Sequence, residues 1–367
     1  MRALVVHPPR PGGEVIDVPR PDLGPGDVRV GIIECGVCGT DHDIVAGKYG
    51  RPPKGSTQLI LGHENLGSVL EVGSGVSGFQ PGDLVVATVR RGCGQCRFCA
   101  VNRSDCCATG LYTERGIIGR DGYIADEYVE RPEYLVPVPT ALRPIAVLME
   151  PLSVVEKAIE TGAKVLDRRE PTPGHAPAAP PNALVTGTGA IGTLASLALA
   201  VRGFEVTAID RHGEATPAAR LLARAGVRHV DTSAGLGALG DARFELVIEA
   251  SGAISIDFQL ADLLLPNGVL VLTGIPDASA PPISVAAGPL LRRMVLANQA
   301  MVGSVNANRT HFETGRGDLL AFEARWPGLA SELISARHPL AEAPKVLAEH
   351  VGGAVKIVLE VGGSHLT

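Results

Sequence analysis

The stretch Gly187-Thr188-Gly189-Ala190-Ile191-Gly192 constrains the fold more than any other. It follows the apolar run Ala183-Leu184-Val185-Thr186, which reads as a buried strand, and opens a segment that predicts a helix over 191–202. A G-x-G-x-x-G spacing alone says little. Set between a strand and a helix, it is a turn whose backbone reaches a pyrophosphate at the helix N-terminus. Asp210 lies eighteen residues beyond Gly192, where the next expected strand, 205–209, ends. An acid there accepts hydrogen bonds from adenosine ribose hydroxyls and repels a 2′-phosphate, which favours NAD. Arg211 follows at once and would pair with that phosphate, so NADP stays open, with the balance toward NAD.

The pattern continues as helix 217–225, strand 246–249, helix 254–264, strand 269–273 and strand 300–305. Such alternation predicts an α/β domain built on a doubly wound parallel sheet. Residues 1–90 differ. Short Val/Ile/Leu runs at 3–6, 28–35, 67–72 and 84–88 are separated by Gly/Pro/Asp clusters, a mainly-β, barrel-like pattern. A helix is expected over 142–161. Beyond 310 come a helix, a strand at 332–337, a helix near 341–350 and a closing strand at 355–361. That tail has no core of its own and is assigned back to the first domain. The expected division is 1–156, then 157–310, with 311–367 returning to the first; a chain of 367 residues suits two domains. The Pro/Ala-rich stretch 168–181 reads as an exposed surface insertion.

Two groups of metal-type side chains stand in the first domain. Cys93, Cys96 and Cys99 recur every third residue, and Cys107 follows after a gap of seven, in a loop (91–110) too poor in apolar residues to hold itself. Four thiolates make a closed tetrahedral site for a structural zinc ion. Cys106 competes for the fourth place, but the gap favours Cys107. The second group is scattered: Cys38, His63 within Leu61-Gly62-His63-Glu64-Asn65-Leu66-Gly67, and Glu150. Taken singly, Cys38 reads as a small buried hydrophobe, His63 as a core histidine, and Glu150 as a first-turn helix residue before Pro151. Gly39 and Gly62 beside two of them allow close backbone approach. One thiolate, one imidazole and one carboxylate leave a fourth position open on zinc, as a catalytic site requires. Glu64 is either an outer partner of that site or an alternate ligand. Two zinc ions per subunit are expected.

Lys plus Arg (33) against Asp plus Glu (39) gives a net charge of −6, and no long basic run appears. Nucleic acid and anionic membranes therefore lack electrostatic support as partners. No segment offers about 18 uninterrupted apolar residues, the length that spans a bilayer. Arg2 is followed by a short strand-like run and Pro8-Pro9, which is not the layout of a secretory signal. Seven cysteines without such a signal argue for reduced thiols or metal ligands, and a cytoplasmic location is expected.

Together these residues resemble the zinc-dependent medium-chain dehydrogenase/reductase family along the length of the chain. Cys38-Gly39-Thr40-Asp41, Gly62-His63-Glu64 and the four-cysteine lobe carry the likeness. Longer strings resemble its glucose 1-dehydrogenase branch: Cys38-Gly39-Thr40-Asp41-His42-Asp43 with Gly47-Lys48-Tyr49-Gly50, the run 109–117, Glu150-Pro151-Leu152-Ser153, and Gly303-Ser304-Val305-Asn306-Ala307. The resemblance implies a GroES-like catalytic domain, a Rossmann domain, and a homodimer or homotetramer. It implies Cys38, His63 and Glu150 as catalytic-zinc ligands, with Glu64 in or near that set. Thr40 matches the hydroxyl that hands on the substrate proton, and His42 is a further relay. Thr40, Glu114, Glu150 and Asn306 match residues that hold sugar hydroxyls. Cofactor contacts are implied at Gly187, Gly189, Ala190, Ile191, Gly192, Asp210, Arg211, His212, Thr273, Gly274, Ile275, Ser304, Val305 and Asn306. Two residues depart from the pattern. Asp210 stands where members preferring NADP often lack an acid, and Val154 stands where some members place an acid near the sugar. The implied reaction moves hydride from C1 of an aldose, glucose or a close epimer, to a nicotinamide cofactor and gives the aldonolactone. The alternative is a polyol, cyclitol or biosynthetic secondary alcohol on the same scaffold.

Overall fold

The computed structural model describes residues 1–167, 180–213, 215–277, 279–349 and 353–362. Along the chain come strands β1 (Arg2–His7), β2 (Arg10–Asp17) and β3 (Val28–Val37), then helix α1 (Gly39–Val45). Next are β4 (Leu59–Ile60), β5 (Glu64–Val72), β6 (Leu84–Ala87), β7 (Arg90–Arg91), β8 (Thr113–Arg115), β9 (Gly119–Arg120), β10 (Glu127–Glu130) and β11 (Leu135–Pro137). Then follow α2 (Met149–Asp167), β12 (Asn182–Thr186), α3 (Ala190–Val201), β13 (Glu205–Asp210), α4 (Pro217–Arg224) and β14 (Arg228–Asp231). After these are β15 (Phe244–Glu249), α5 (Ile254–Leu260), β16 (Leu264–Leu272), α6 (Ala287–Leu296) and β17 (Ala300–Gly303). The chain closes with α7 (Arg309–Arg325), β18 (Ile334–Pro339), α8 (Ala343–Ala348) and β19 (Lys356–Glu360).

These elements form two units. One comprises Met1–Ser153, Asn306–Leu320 and Ala330–Thr367; the other comprises Val154–Val305 and Ala321–Leu329. The segment Ala321–Leu329, expected with the first unit, thus packs with the second. In the first unit a seven-stranded sheet runs β11-β6-β5-β3-β19-β18, with β10 also on β3. Nearly every residue of β3 is buried, as befits a central strand covered on both faces. Two three-stranded sheets, β2-β1-β4 and β7-β8-β9, complete it.

The second unit is a six-stranded sheet, β14-β13-β12-β15-β16-β17, parallel throughout. Two βαβαβ halves meet where the order reverses, between β12 and β15; the carboxyl ends there form the crevice in which such sheets bind ligands. Leu184, Ile209, Phe244, Val247, Leu260 and Leu270 make a core cluster of this sheet and its helices.

Three differences from the sequence reading have physical causes. The helix expected at 142–161 begins at Met149 and extends to Asp167. Pro144 cannot sit inside a helix, whereas Pro151 falls in the first turn, where no amide bond is lost. Strand β14 was unread because Arg228-His229-Val230-Asp231 holds one aliphatic residue, and helix α6 because Gly288-Pro289 interrupts its start. The helix expected to 264 ends at Leu260, in a single 3-10 turn, Ala261–Leu263. The proposed insertion at 168–181 lies, as far as residue 179, outside the described residues. Among the described residues no helix is long and apolar enough to cross a membrane.

Candidate active site and metal centres

Antiparallel pairing of β3 with β5 sets Gly36 opposite Glu64. Cys38, just past β3, and His63, just before β5, are thereby brought together, with Sγ 3.1 Å from Nε2. Donor atoms of Cys38, His63 and Glu64 all lie within 4.8 Å of one another. Asp41 on α1 supports the pair: its Oδ2 accepts the Cys38 amide at 3.0 Å, and Oδ1 stands 3.3 Å from His63 Nδ1. Burial works against protonation of His63, but Cys38 and Asp41 outweigh it and hold the imidazole well above its ordinary value.

Glu150, in the first turn of α2, is buried but stands outside this tight cluster, whereas Glu64 stands inside it. Burial pushes Glu150 up to about 7; His63 opposes the rise and Glu64 adds to it. Glu64 has a second partner that sequence reasoning missed. Lys356 Nζ lies 2.6 and 2.7 Å from its two oxygens and also donates to Val37 O at 3.2 Å. The one signal for it was a lysine leading the apolar run Ile357-Val358-Leu359. Cys38 is half-buried, and Asp41, His63, Glu64 and Glu150 are buried. A cysteine sulfur, an imidazole and carboxylates are the donor types that hold a divalent zinc ion. Thr40 lies half-buried on α1, and His42 Nδ1 is 2.9 Å from Leu347 O.

A second polar cluster surrounds Glu114. β7 and β8 pair so that Arg90 faces Glu114. Arg90 Nε and Nη2 reach Glu114 Oε1 at 3.0 and 2.8 Å, and Asn306 Nδ2 donates to the same oxygen at 2.5 Å. Asn306 takes a positive φ of 62°, a conformation asparagine tolerates better than most residues, and its Oδ1 accepts the Ala307 amide at 2.7 Å.

In the cysteine lobe the Sγ atoms of Cys93, Cys96, Cys99 and Cys107 lie within 4.8 Å of one another, the donor set of a closed tetrahedral zinc site. Cys106 instead donates to Asp105 Oδ2 at 3.3 Å. The Thr109 hydroxyl draws the Cys107 thiol down to about 6, and the Cys99 amide draws Cys96 to about 7.

In the second unit the glycine turn has the form the sequence predicted. Gly187 has φ +82°, a Cβ on Gly192 would overlap the Gly187 carbonyl oxygen, and Gly189 faces open space. Asp210 pins this turn. Its Oδ2 accepts Thr188 N and Oγ1 at 2.8 and 2.9 Å, and its Oδ1 accepts His212 N and Nδ1 at 3.0 and 2.7 Å. Burial alone would raise its carboxyl, but these donors hold it below its usual value. Glu249 was also missed. Its Oε1 accepts Ser251 N, Ser251 Oγ and Gly252 N at 2.6, 2.6 and 2.9 Å. Its carbonyl holds Thr273 N and Gly274 N at 2.8 and 3.1 Å. It thereby ties the loops after β15 and β16. Arg211, Ile275 and Val305 are exposed, Ser304 is buried, and Val305 O accepts Lys157 Nζ at 2.8 Å.

A Rossmann sheet with a dinucleotide turn, joined in sequence to a mainly-β unit bearing two zinc-type donor sets, defines a medium-chain dehydrogenase. The family described as "Alcohol dehydrogenase GroES-like domain" matches residues 24–140, and that described as "Glucose dehydrogenase C-terminus" matches residues 143–361. A glucose 1-dehydrogenase of Methanocella arvoryzae is 40% identical over 367 residues, covering 99% of this chain and 100% of the relative. One of Thermoproteus tenax is 40% identical over 343 residues, covering 93% and 94%. The structure of Haloferax mediterranei glucose dehydrogenase in complex with NADP, Zn and gluconolactone superposes with a TM-score of 0.87 at 30% identity, covering 99% of this chain and 100% of that one. The chain belongs to the zinc-dependent medium-chain dehydrogenase family, in its glucose dehydrogenase branch.

Proposed function

We propose that this protein oxidises C1 of glucose or a close epimer to the aldonolactone, with hydride passing to a nicotinamide cofactor. The carrying observation is that one unit holds both the metal-type donors Cys38, His63 and Glu64 and the carboxylate–amide pair Glu114 and Asn306. Relatives named glucose 1-dehydrogenase match over nearly the whole chain and support the same substrate.

When bound at Cys38 and His63, with Glu64 or Glu150, a zinc ion supplies Lewis acidity to the substrate hydroxyl, and the nicotinamide supplies the hydride acceptor. Asp41 holds the imidazole ring in place, and Lys356 holds Glu64. Thr40 accepts the hydroxyl proton as it passes its own outward, to water or His42. His42, whose Nδ1 lies 2.9 Å from Leu347 O, is the further relay. Glu114 and Asn306 orient the ring, and that positioning accounts for a large share of the barrier reduction.

The cofactor is NAD in preference to NADP. The ionised Asp210 carboxylate, at the end of β13, supports this because it repels a 2′-phosphate. The turn residues Gly187 to Gly192, His212, Thr273 to Ile275 and Ser304 to Asn306 complete the cofactor contacts. Each subunit binds two zinc ions, the second in the cysteine lobe. Subunits assemble into a homodimer or homotetramer, a reading supported by the open edge of β17 and the uncovered apolar side chains of α6. Free cysteines throughout the described chain support a reducing, cytoplasmic setting. Initial rates with glucose, galactose, xylose, inositol and simple alcohols, each with NAD and NADP, test the reading. Glucose or a close epimer turned over best, with NAD preferred, upholds it; best turnover of inositol or a simple alcohol overturns it.

A further inference from the structure

Arg90 is buried, and all its bonds run toward one place. Nε and Nη2 reach Glu114 Oε1, Nη1 donates to the carbonyl of Asp105 at 3.0 Å, and the guanidinium carbon lies 3.9 Å above the centre of the Tyr112 ring. Asp105 is itself fixed, since its Oδ1 accepts Asn308 Nδ2 at 3.0 Å. The guanidinium is thus clamped on three sides by a carboxylate, a carbonyl and an aromatic face. A planar fork suits such a site far better than a lysine ammonium does.

The Glu114 end of the clamp is asymmetric. Oε1 receives both Arg90 nitrogens and Asn306 Nδ2, while no donor among the described residues reaches Oε2. A carboxylate anchored by one oxygen is held in a single orientation, and the other oxygen stays available to an incoming hydroxyl. An acceptor this preorganised loses little freedom when a polyol binds. Without Arg90, Glu114 would keep a neutral amide as its partner and would turn in its pocket.

We infer that Arg90 is a positioning residue for sugar recognition: it fixes Glu114 through Oε1 so that Oε2 accepts a ring hydroxyl. This deepens the proposed sugar oxidation and rests on it. The test is a double-mutant cycle on the purified holoenzyme with glucose, using Arg90→Met, Glu114→Gln and the pair. Arg90→Met raises the KM for glucose about 10- to 100-fold, the worth of a charged hydrogen bond, with kcat within about threefold. In the Glu114→Gln background the same change adds less than about twofold, because the residue acts through Glu114. Arg90→Lys, which keeps the buried charge but not the fork, falls between Arg90→Met and the parent. Zinc content and thermal unfolding of each variant separate local loosening from collapse. Additive effects of the two substitutions, or an unchanged KM in Arg90→Met, overturn the inference while glucose turnover by the parent stands. A parent that does not oxidise glucose removes the sugar reading and this inference with it.

Discussion

Glu130, on β10, is fully buried between two guanidiniums, with Arg91 Nη2 at 2.5 Å and Arg115 Nη2 at 2.9 Å. Burial alone would raise its carboxyl, but Arg115 and Arg91 outweigh that and hold it at about 2, against 4.5 unperturbed. A folded value below the unfolded one means the stabilisation is complete above about pH 4.5 and fades as the pH falls toward 2; the drop corresponds to about 3 kcal/mol. Urea unfolding at about pH 6 and about pH 3 should register about 2 kcal/mol of that loss in the parent, and Glu130→Gln should abolish this part of it. Stability of the parent that holds level to pH 3 contradicts the assignment. Lys356 makes a second case. Lys356→Met would strand the Glu64 carboxylate in the interior at a cost of about 3–5 kcal/mol, visible as a lowered melting temperature, whereas Lys356→Arg should keep most of the stability. Cys38 and His63 could be read from the sequence because each sits beside a glycine in an apolar setting. Lys356 could not, because 292 residues separate it from Glu64, and they meet only because β19 and β5 both flank β3.

Among the elements, the β12 turn into α3 was the most legible, since its glycines mark a positive-φ turn at Gly187 and a close backbone approach at Gly192 within six residues. Gly192→Ala tests that reading. The added methyl meets the Gly187 carbonyl, so the turn must shift, at about 1–3 kcal/mol. NADH fluorescence titration should register weaker binding alongside a lower melting temperature; unchanged NADH affinity would mean that the turn does not carry the cofactor. The parallel strands were legible as unbroken apolar runs buried on both faces. Strand β14 was not, because it lies at the sheet edge, where both its end residues are exposed and Val230 is the one aliphatic residue of four. Helix α6 was hidden by Gly288-Pro289 at its start. Its apolar residues Leu291, Val295 and Leu296 are 59, 74 and 68% exposed in this chain.

At the scale of the whole molecule, that bare helix bears on assembly. In solution the protein should elute as a multiple of one chain, and Val295→Glu should shift it toward the single-chain size in light scattering. An identical mass for parent and variant would place the subunit contact elsewhere. The β-then-α/β division was legible from the change in hydrophobic period near residue 182, but the return of the tail was legible only by elimination, because β19, which carries β18 with it, pairs with β3 hundreds of residues away. β19 fills the gap between β3 and β18, so a sheet begun near the start of the chain is the last to close. Throughout translation of the second unit the nascent chain carries the Glu34–Val37 end of β3 without its β19 partner, and Glu64 lacks its counter-charge until residue 356 has been added. Until β19 arrives, those four residues present unpaired backbone groups to which another chain could add a strand.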